Sequence, residues 1–342
     1  MKNEKKYILV TGGAGYIGSH TVLALLQSGC NVIVLDNLCN SNIESIKRVT
    51  SIAGNAPFFV EGDVRDFELL SNLFNEYDID SVIHFAGLKA VNESIMKPLN
   101  YYNNNVHGSQ VLFRAMSEAG VYKIVFSSSA TVYGLQSEMP ISESCSLGEP
   151  INPYGRSKLM IEDILRDLYV SDSRWAISIL RYFNPTGAHK SGLIGEDPNG
   201  IPNNLVPFIS QVAIGKLSTL SVYGNDYSTI DGTGVRDYVH VVDLAEGHIL
   251  ALSKLQNKGG VSVWNLGTGK GYSVLEVILA FEQASNMSIP YQVLDRRAGD
   301  LDICYADATK AYSELGWKAK KDLSTMMEDV WRWQSMNPNG YL

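Results

Sequence analysis

Tyr154 and Lys158, in the run Pro153-Tyr154-Gly155-Arg156-Ser157-Lys158, are the side chains whose types and spacing most directly suggest proton transfer. Proline suits the first turn of a helix, and Met160, Ile161, Ile164 and Leu165 continue one. Four residues apart, the pair shares a helix face, where an ammonium stabilises a phenolate and lowers a pKa that is otherwise about 10. A tyrosine in that setting can act as a base. Such a pair also arises by chance in many helices, so its meaning depends on its company. Lys123 to Phe126 reads as a strand delivering Ser127-Ser128-Ser129-Ala130-Thr131-Val132-Tyr133-Gly134, whose hydroxyls are expected to face the same site. Serines after a strand are also ordinary turn residues.

The company is at the start of the chain. Tyr7-Ile8-Leu9-Val10 reads as an apolar strand running into Thr11-Gly12-Gly13-Ala14-Gly15-Tyr16-Ile17-Gly18 and then an apolar helix. A turn built from Gly12, Gly15 and Gly18 lets backbone N–H groups approach a diphosphate, and the positive end of the helix dipole attracts it. A glycine pattern alone is weak evidence. Here a second apolar strand, Asn31 to Leu35, follows, and Asp36 stands where a dinucleotide fold binds the adenosine ribose. No arginine comes directly after Asp36, which favours NAD over NADP. Beside such a turn, chance is a poor explanation for Ser129, Tyr154 and Lys158.

Strands are further expected at Pro57 to Val60, Ser81 to Phe85 and Trp175 to Leu180, alternating with amphipathic helices. That alternation predicts an α/β fold with a doubly wound parallel sheet. Asp63 with Val64, and Phe85-Ala86-Gly87-Leu88-Lys89, then fall at the carboxyl ends of strands, where such sheets bind ligands. Asp63-x-x-Asp66 also suits helix capping. Leu99 to Ala119 reads as one long helix with Val106, Leu112 and Met116 on its apolar stripe. Beyond Arg181 the alternation stops and Gly, Pro and Asn become frequent, which places a boundary between residues 1–183 and a smaller mixed lobe of 184–342. In that lobe Ser221-Val222-Tyr223-Gly224 reads as a short strand and turn, and Arg236 as part of a glycine-rich loop. A helix from Val239 to Leu252, capped by Asp243, is expected to pack back on the first lobe. Ser273-x-x-Glu276 is a capping box. Arg296-Arg297-Ala298-Gly299-Asp300 reads as an exposed charged turn, and Leu323 to Gln334 as a final helix whose Met326, Val330 and Trp333 pack.

Composition narrows the classes of function. At 342 residues and 45% hydrophobic content the chain can bury a sizeable core, and a net charge of -8 argues against nucleic acid or an anionic membrane as the main partner. Cys30, Cys39, Cys145 and Cys304 have no paired spacing, so neither a zinc site nor a disulfide framework is expected, and a reducing cytoplasm fits. No apolar stretch reaches membrane-spanning length, and nothing at the N-terminus suggests export.

Thr11-Gly12-x-x-Gly15-x-x-Gly18, Ser129 and Tyr154-x-x-x-Lys158 together resemble the extended short-chain dehydrogenase/reductases. Further runs are similar to the UDP-glucose 4-epimerase branch of that family over essentially the whole chain: His84 to Val91, Tyr182-Phe183-Asn184-Pro185, Ile201 to Leu205, Asp231 to Tyr238 and Trp331-x-Trp333-Gln334. The resemblance implies a Rossmann-type first domain binding NAD through Gly12, Gly15, Tyr16, Ile17, Gly18, Asp36, Asn37, Asn40, Ser41, Asp63, Val64, Phe85, Ala86, Gly87, Lys89, Asn104, Ser129, Tyr154, Lys158 and Phe183. It implies a UDP-sugar held by Lys89, Ser129, Tyr154, Asn184, Asn204, Leu205, Val206, Ser221, Val222, Tyr223, Arg236, Arg297, Asp300 and Cys304. Arg236 and Arg297 suit a diphosphate, because a guanidinium fork binds its oxygens bidentately. It also implies a homodimer formed by the helices at Leu99 to Ala119 and Tyr154 to Val170.

NAD beside an activated tyrosine supports loss of a hydroxyl proton together with hydride transfer from the same carbon. In related dehydratases an Asp-Glu pair stands where this chain has Ala130-Thr131, and related decarboxylases carry a glutamate at the second position. With neither carboxylate, a keto intermediate is expected only to take its hydride back, and return to the opposite face is epimerisation. Tyr154 would be the base, assisted by Lys158 and Ser129. The resemblance also implies that Cys304 lines the sugar pocket where some members carry a bulky tyrosine, so that its small side chain is expected to leave room for an N-acetyl group. A nucleotide-sugar dehydrogenase releasing NADH and a non-catalytic NAD sensor are the alternatives. The first would accumulate NADH, and the second commonly loses the tyrosine or lysine kept here.

Overall fold

The computed structural model describes residues 5–136, 138–200, 202–255, 259–297 and 300–342. The N-terminal Met1 to Glu4, and Ile201, Ala298 and Gly299 of the quoted motifs, lie outside the described residues. The strands of the first half are β1 (Tyr7–Thr11), β2 (Asn31–Asp36), β3 (Phe58–Glu61), β4 (Ile79–His84), β5 (Lys123–Ser129) and β6 (Ala176–Tyr182). With Gly260–Leu266 they form a seven-stranded sheet in the order Gly260–Leu266, β6, β5, β4, β1, β2, β3. β1 pairs in parallel with both β2 and β4. The strand order therefore reverses beside β1, so the chain leaves this strand at the position where doubly wound sheets open a crevice. Leu9, Ile33, Val82, Phe126, Ile177 and Trp175 build the core under the sheet.

The chain divides into two units, one of residues 1–134, 149–181 and 245–264, the other of 135–148, 182–244 and 265–342. This differs from a single cut after Phe183. Strand pairing explains the exchange: Gly260–Leu266 completes the first unit's sheet beside β6, and Ile141 bridges to Ala306 in the second unit. Phe85 packs its ring 4.7 Å from that of His248, a residue of the returning segment within the first unit.

The second unit has its own core of Val206, Val222, Phe281, Met326 and Met327. The helix Val274–Ser285 carries the expected capping box of Ser273 and Glu276, and Met326, Val330 and Trp333 of Leu323–Met336 are buried as expected. Asp243 is not an N-cap. The strand Val235–His240 runs directly into the helix Val241–Leu255, His240 Nδ1 accepts the Val242 N–H at 3.0 Å, and the Asp243 carboxylate takes the N–H groups of Lys320 and Lys321. Among the described residues no helix is long and apolar enough to cross a membrane.

The expected long helix at Leu99 to Ala119 is interrupted. Pro98–Tyr101 and Gly108–Glu118 are joined by a π-helical stretch, Tyr102–His107. Its wider turn sets Asn105 to accept the Leu88 N–H at 2.8 Å and to donate to the Leu88 carbonyl at 3.0 Å and Ser157 Oγ at 3.2 Å. A π-bulge of this kind is commonly found at functional sites. Here it ties the loop after β4 to the helix Pro153–Ser171.

Candidate active site

The turn after β1 is close-packed backbone. Gly12 adopts φ +70°, and a Cβ on it would lie 2.6 Å from the Ala86 nitrogen. Its N–H bonds the Leu35 carbonyl at 2.8 Å, while the Phe85 and Ala86 N–H groups both reach the Thr11 carbonyl, at 2.9 and 3.1 Å. A Cβ on Gly18 would run into the Gly12 carbonyl oxygen. Gly15 is the N-cap of the helix Tyr16–Gln27 and brings no side-chain cap, so its first N–H groups face the turn. Below it, His84 is buried between Thr11 Oγ1 at 2.7 Å and Ser109 Oγ at 2.9 Å, and burial pushes it down to about 3, so it is a neutral strut.

Asp36 ends β2 beside this turn. Its carboxylate accepts the Ala14 N–H at 2.9 Å, the Leu38 N–H at 3.0 Å and the Ser41 hydroxyl at 2.8 Å. A bare glycine cradle at a helix N-terminus, with an oriented carboxylate at the next strand end, fits the diphosphate and adenosine ribose of a dinucleotide. Asn37 donates to Asp63 at 2.9 Å. Asp63 is gripped by Arg65, which holds its carboxyl far below the usual carboxylate range, and Asp66 rather than Asp63 caps the following helix. Val64 is core. Asn40 is exposed, Lys89 reaches over the Tyr16 ring at 5.7 Å, and Asn104 donates to Asn105 at 3.0 Å.

The Asn152 side chain caps the helix that begins at Pro153, accepting the Gly155 N–H at 2.8 Å. This helix brings Tyr154 beside Ser129. Burial pushes the Tyr154 phenol up, and the neighbouring Ser129 hydroxyl pulls the other way. The Lys158 ammonium is not seated on the phenol: Nζ donates to the Ser127 carbonyl at 2.7 Å and lies 6.0 Å from the Tyr154 ring centre. Burial pushes Lys158 down to about 8, opposed by Glu162 one turn on. Gly87 lies alongside, where an added Cβ would come within 3.7 Å of Nζ. Lys158 thus lies near Tyr154 in a position set by β5.

The serine run is not all turned to the site. Side chains alternate along a strand, and Ser128 points the other way, donating to the fully buried Glu162 at 2.6 Å. Glu162 also receives Arg181 through two bonds, of 3.0 and 2.6 Å, and Arg166 at 3.1 Å. The Arg181 guanidinium lies 4.7 Å from the Tyr133 ring. This cluster fixes β5, β6 and the Tyr154 helix to one another, and sequence reading missed it. The signal was a glutamate at the spacing of Lys158, four residues on and on the same face.

In the second unit Arg236 lies not in a loop but in the strand Val235–His240, because short strands pair with it: Gly271–Ser273, Ile303–Cys304 and Asn184–Thr186. Cys304 is the register partner of Arg236, and Asn184 that of Tyr238. These four side chains therefore share one face. Arg236 forms an ion pair with Asp300, and Arg297 lies 3.9 Å from the Tyr223 ring centre. Asp237 points to the other face, where it is fully buried and accepts from Thr268 N–H and Oγ, Gly269 N–H and Ala306 N–H at 2.6 to 3.1 Å. Asn204 is exposed at the N-cap of Leu205–Ala213. Ser221 and Leu205 are partly buried, while Val206, Val222 and Phe183 are buried.

Residues 9–330 match the sequence family described as GDP-mannose 4,6 dehydratase. The chain is 60% identical to the UDP-glucose 4-epimerase of Haemophilus influenzae, covering 98% of this chain and 99% of that one. The chain belongs to the UDP-glucose 4-epimerase family. Among solved structures, the Bifidobacterium longum UDP-glucose 4-epimerase in complex with NAD+ and UDP superposes with a TM-score of 0.95 at 54% identity, covering 98% of this chain and 99% of that one. The UDP-Glc/GlcNAc 4-epimerase of Campylobacter jejuni superposes with a TM-score of 0.85 at 37% identity, over 97% and 99% of the two chains. The matched dehydratase family puts weight on the residues directly after Ser129. There the turn Ala130–Tyr133 offers no carboxylate, and the Thr131 hydroxyl donates back to Ser129 at 3.0 Å.

Proposed function

We infer that this chain is an NAD-dependent isomerase interconverting UDP-galactose and UDP-glucose through a 4-keto sugar. The observation that carries the reading is the placing of Tyr154 beside Ser129, followed by Ala130-Thr131 in place of acid groups that could eliminate water. NAD, when bound, supplies a hydride acceptor that returns the hydride, so the keto sugar is reduced on either face. Tyr154 takes the proton of the carbon-4 hydroxyl and gives it back. Ser129 orients that hydroxyl, and Lys158 stabilises the phenolate and binds the nicotinamide ribose. Gly12, Gly15, Gly18 and Asp36 hold the dinucleotide. Arg236, Arg297, Asn184, Asn204 and Asp300 hold the uridine diphosphate, so the two arginines give an acidic protein a locally basic grip.

Cys304 adjoins Arg236 in the strand register. Its small side chain supports turnover of UDP-N-acetylglucosamine and UDP-N-acetylgalactosamine as well. The exposed apolar residues Leu99, Met160 and Val170 support a homodimer through the helices that carry them. Light scattering would then give about twice the chain mass of 37.6 kDa, and the monomer mass at micromolar concentration would refute dimerisation. Four cysteines, each a thiol rather than half of a disulfide, support a cytoplasmic setting.

Incubating the purified protein with UDP-galactose and no added NAD tests cofactor retention, reaction class and substrate together. UDP-glucose should form without net NADH. Accumulating NADH would point to a dehydrogenase, and no product under any cofactor supply would refute the assignment.

A further inference from the structure

Glu162 is fully buried, and its carboxylate accepts from Ser128 Oγ at 2.6 Å, from Arg181 Nε and Nη2 at 3.0 and 2.6 Å, and from Arg166 Nη2 at 3.1 Å. A buried carboxylate with its arginines is a poor way to gain stability, because well-packed apolar side chains of similar volume often hold a fold as well or better. A charge kept in such a place calls for another use.

Its position supplies one. Lys158 and Glu162 are four residues apart in the unbroken helix Pro153–Ser171, so they stand on one face, one turn apart. Helical side chains lean toward the N-terminus, which carries the Glu162 carboxylate back toward Lys158. Both are buried, and both are tied to successive residues of β5: Lys158 Nζ donates to the Ser127 carbonyl at 2.7 Å, and Glu162 accepts from Ser128. Sliding the helix along the strand would break both ties. From the neighbouring strands the Lys158 ammonium is faced by the Ser127 carbonyl, the Phe126 ring at 5.0 Å and the neutral His84. On its own helix it is faced by the Tyr154 ring at 6.0 Å and by Glu162, the anion of the set. Beyond Glu162 stand the cations Arg166 and Arg181, with Arg181 over the Tyr133 ring and Asp163 three residues from Arg166 on the helix. Burial drives Lys158 toward its neutral form, and Glu162 opposes that drive.

We propose that Glu162 is a positioning residue for the proton transfer, locking the Tyr154 helix to β5 and supplying the counter-charge that keeps Lys158 an ammonium near the phenol. This rests on the roles of Tyr154 and Lys158 in the proposed function. Without the carboxylate, Arg166 and Arg181 would repel the ammonium, and Lys158 would lose its proton at lower pH. Without Arg166, which is partly exposed, some of that repulsion would go while Arg181 kept its partner.

The test is kcat/KM for UDP-galactose against pH, measured on the NAD-containing protein. The unaltered protein should show a limb falling through about 8. Glu162→Gln keeps the shape and an oxygen to accept Ser128, and should move that limb toward acid by about one pH unit or more. Arg166→Gln should move it toward alkali, by about half a unit. NAD released per chain should be equal in all three proteins. A carboxylate that only held the fold together would, once removed, lower activity at every pH and leave the limb in place, and that result would overturn the proposal. If Glu162→Gln fails to fold, Arg166→Gln decides alone, and an unmoved limb or an acid shift overturns the counter-charge. An unaltered protein without the limb, or one whose limb survives Lys158→Met, overturns the role of Lys158 and this inference with it.

Discussion

The glycines of the first turn should separate cofactor binding from folding. At Gly18 an added methyl would meet the Gly12 carbonyl oxygen and lie 2.8 Å from Gly13 Cα. Neither atom can give way cheaply, because Gly12 is pinned to Leu35 and its own Cα packs on the Ala86 backbone. Overpacking of this sort costs about 1–3 kcal/mol, whereas alanine in a helix interior recovers at most about 1 kcal/mol over glycine. Gly18→Ala should therefore destabilise the protein by about 2 kcal/mol. Gly15 has φ -72° and ψ 177°, open to alanine, and its Cβ would have one near neighbour, the Gly12 oxygen at 3.3 Å. Gly15→Ala should change stability by less than about 0.5 kcal/mol. Its methyl would stand in the open side of the turn, where the diphosphate must approach, so NAD affinity should fall about tenfold or more. Calorimetric melting of protein stripped of NAD measures the first effect, and NAD released per chain on denaturation measures the second. The division of roles is wrong if Gly15→Ala retains its full complement of NAD, or if both variants lose stability and cofactor in step.

Three further outcomes test the site. Tyr154→Phe should retain NAD but lose about a hundredfold or more of turnover, since only the proton acceptor is removed; near-normal turnover in a steady-state assay would exclude Tyr154 as the base. Lys158 is cationic below its value of about 8 and neutral above it, so if its charge supports the phenolate, kcat/KM should decline as pH rises through about 8. Lys158→Met should lose that limb, and an unaltered profile would contradict the role. Cys304→Tyr should abolish turnover of the N-acetylated sugars and spare UDP-galactose, with equal loss of both, or no N-acetyl turnover by the native protein, removing Cys304 as the gate.

Much of this was readable in the chain because it is local. The glycine turn, Asp36, the strands to within three residues and the capping box at Ser273 depend on neighbours a few positions apart. What sequence reading missed depends on distant partners. Arg236 looked like loop because glycines precede it, but three separate short strands hold it extended. Ser128 looked equivalent to Ser129 until the pleat sent it to Glu162. The helix through Asn105 looked regular, since nothing in its apolar stripe announces a wider turn drawn toward Leu88. The place of Gly260–Leu266 beside β6 is set by pairing across the sheet.

The strand Val235–His240 also divides risk. Its buried Asp237 face fastens the Gly267–Gly269 turn and Ala306, so a change there threatens the fold. Its other face presents Arg236 with Cys304 and Asn184 as neighbours in register, and side chains there can vary without disturbing those bonds. Inheritance of new substrate preferences, or a laboratory library seeking them, would meet a surface where substitutions are tolerated one residue away from a position where they are not. Randomising Cys304 and Asn184 while holding Asp237 constant is the search this strand makes practical.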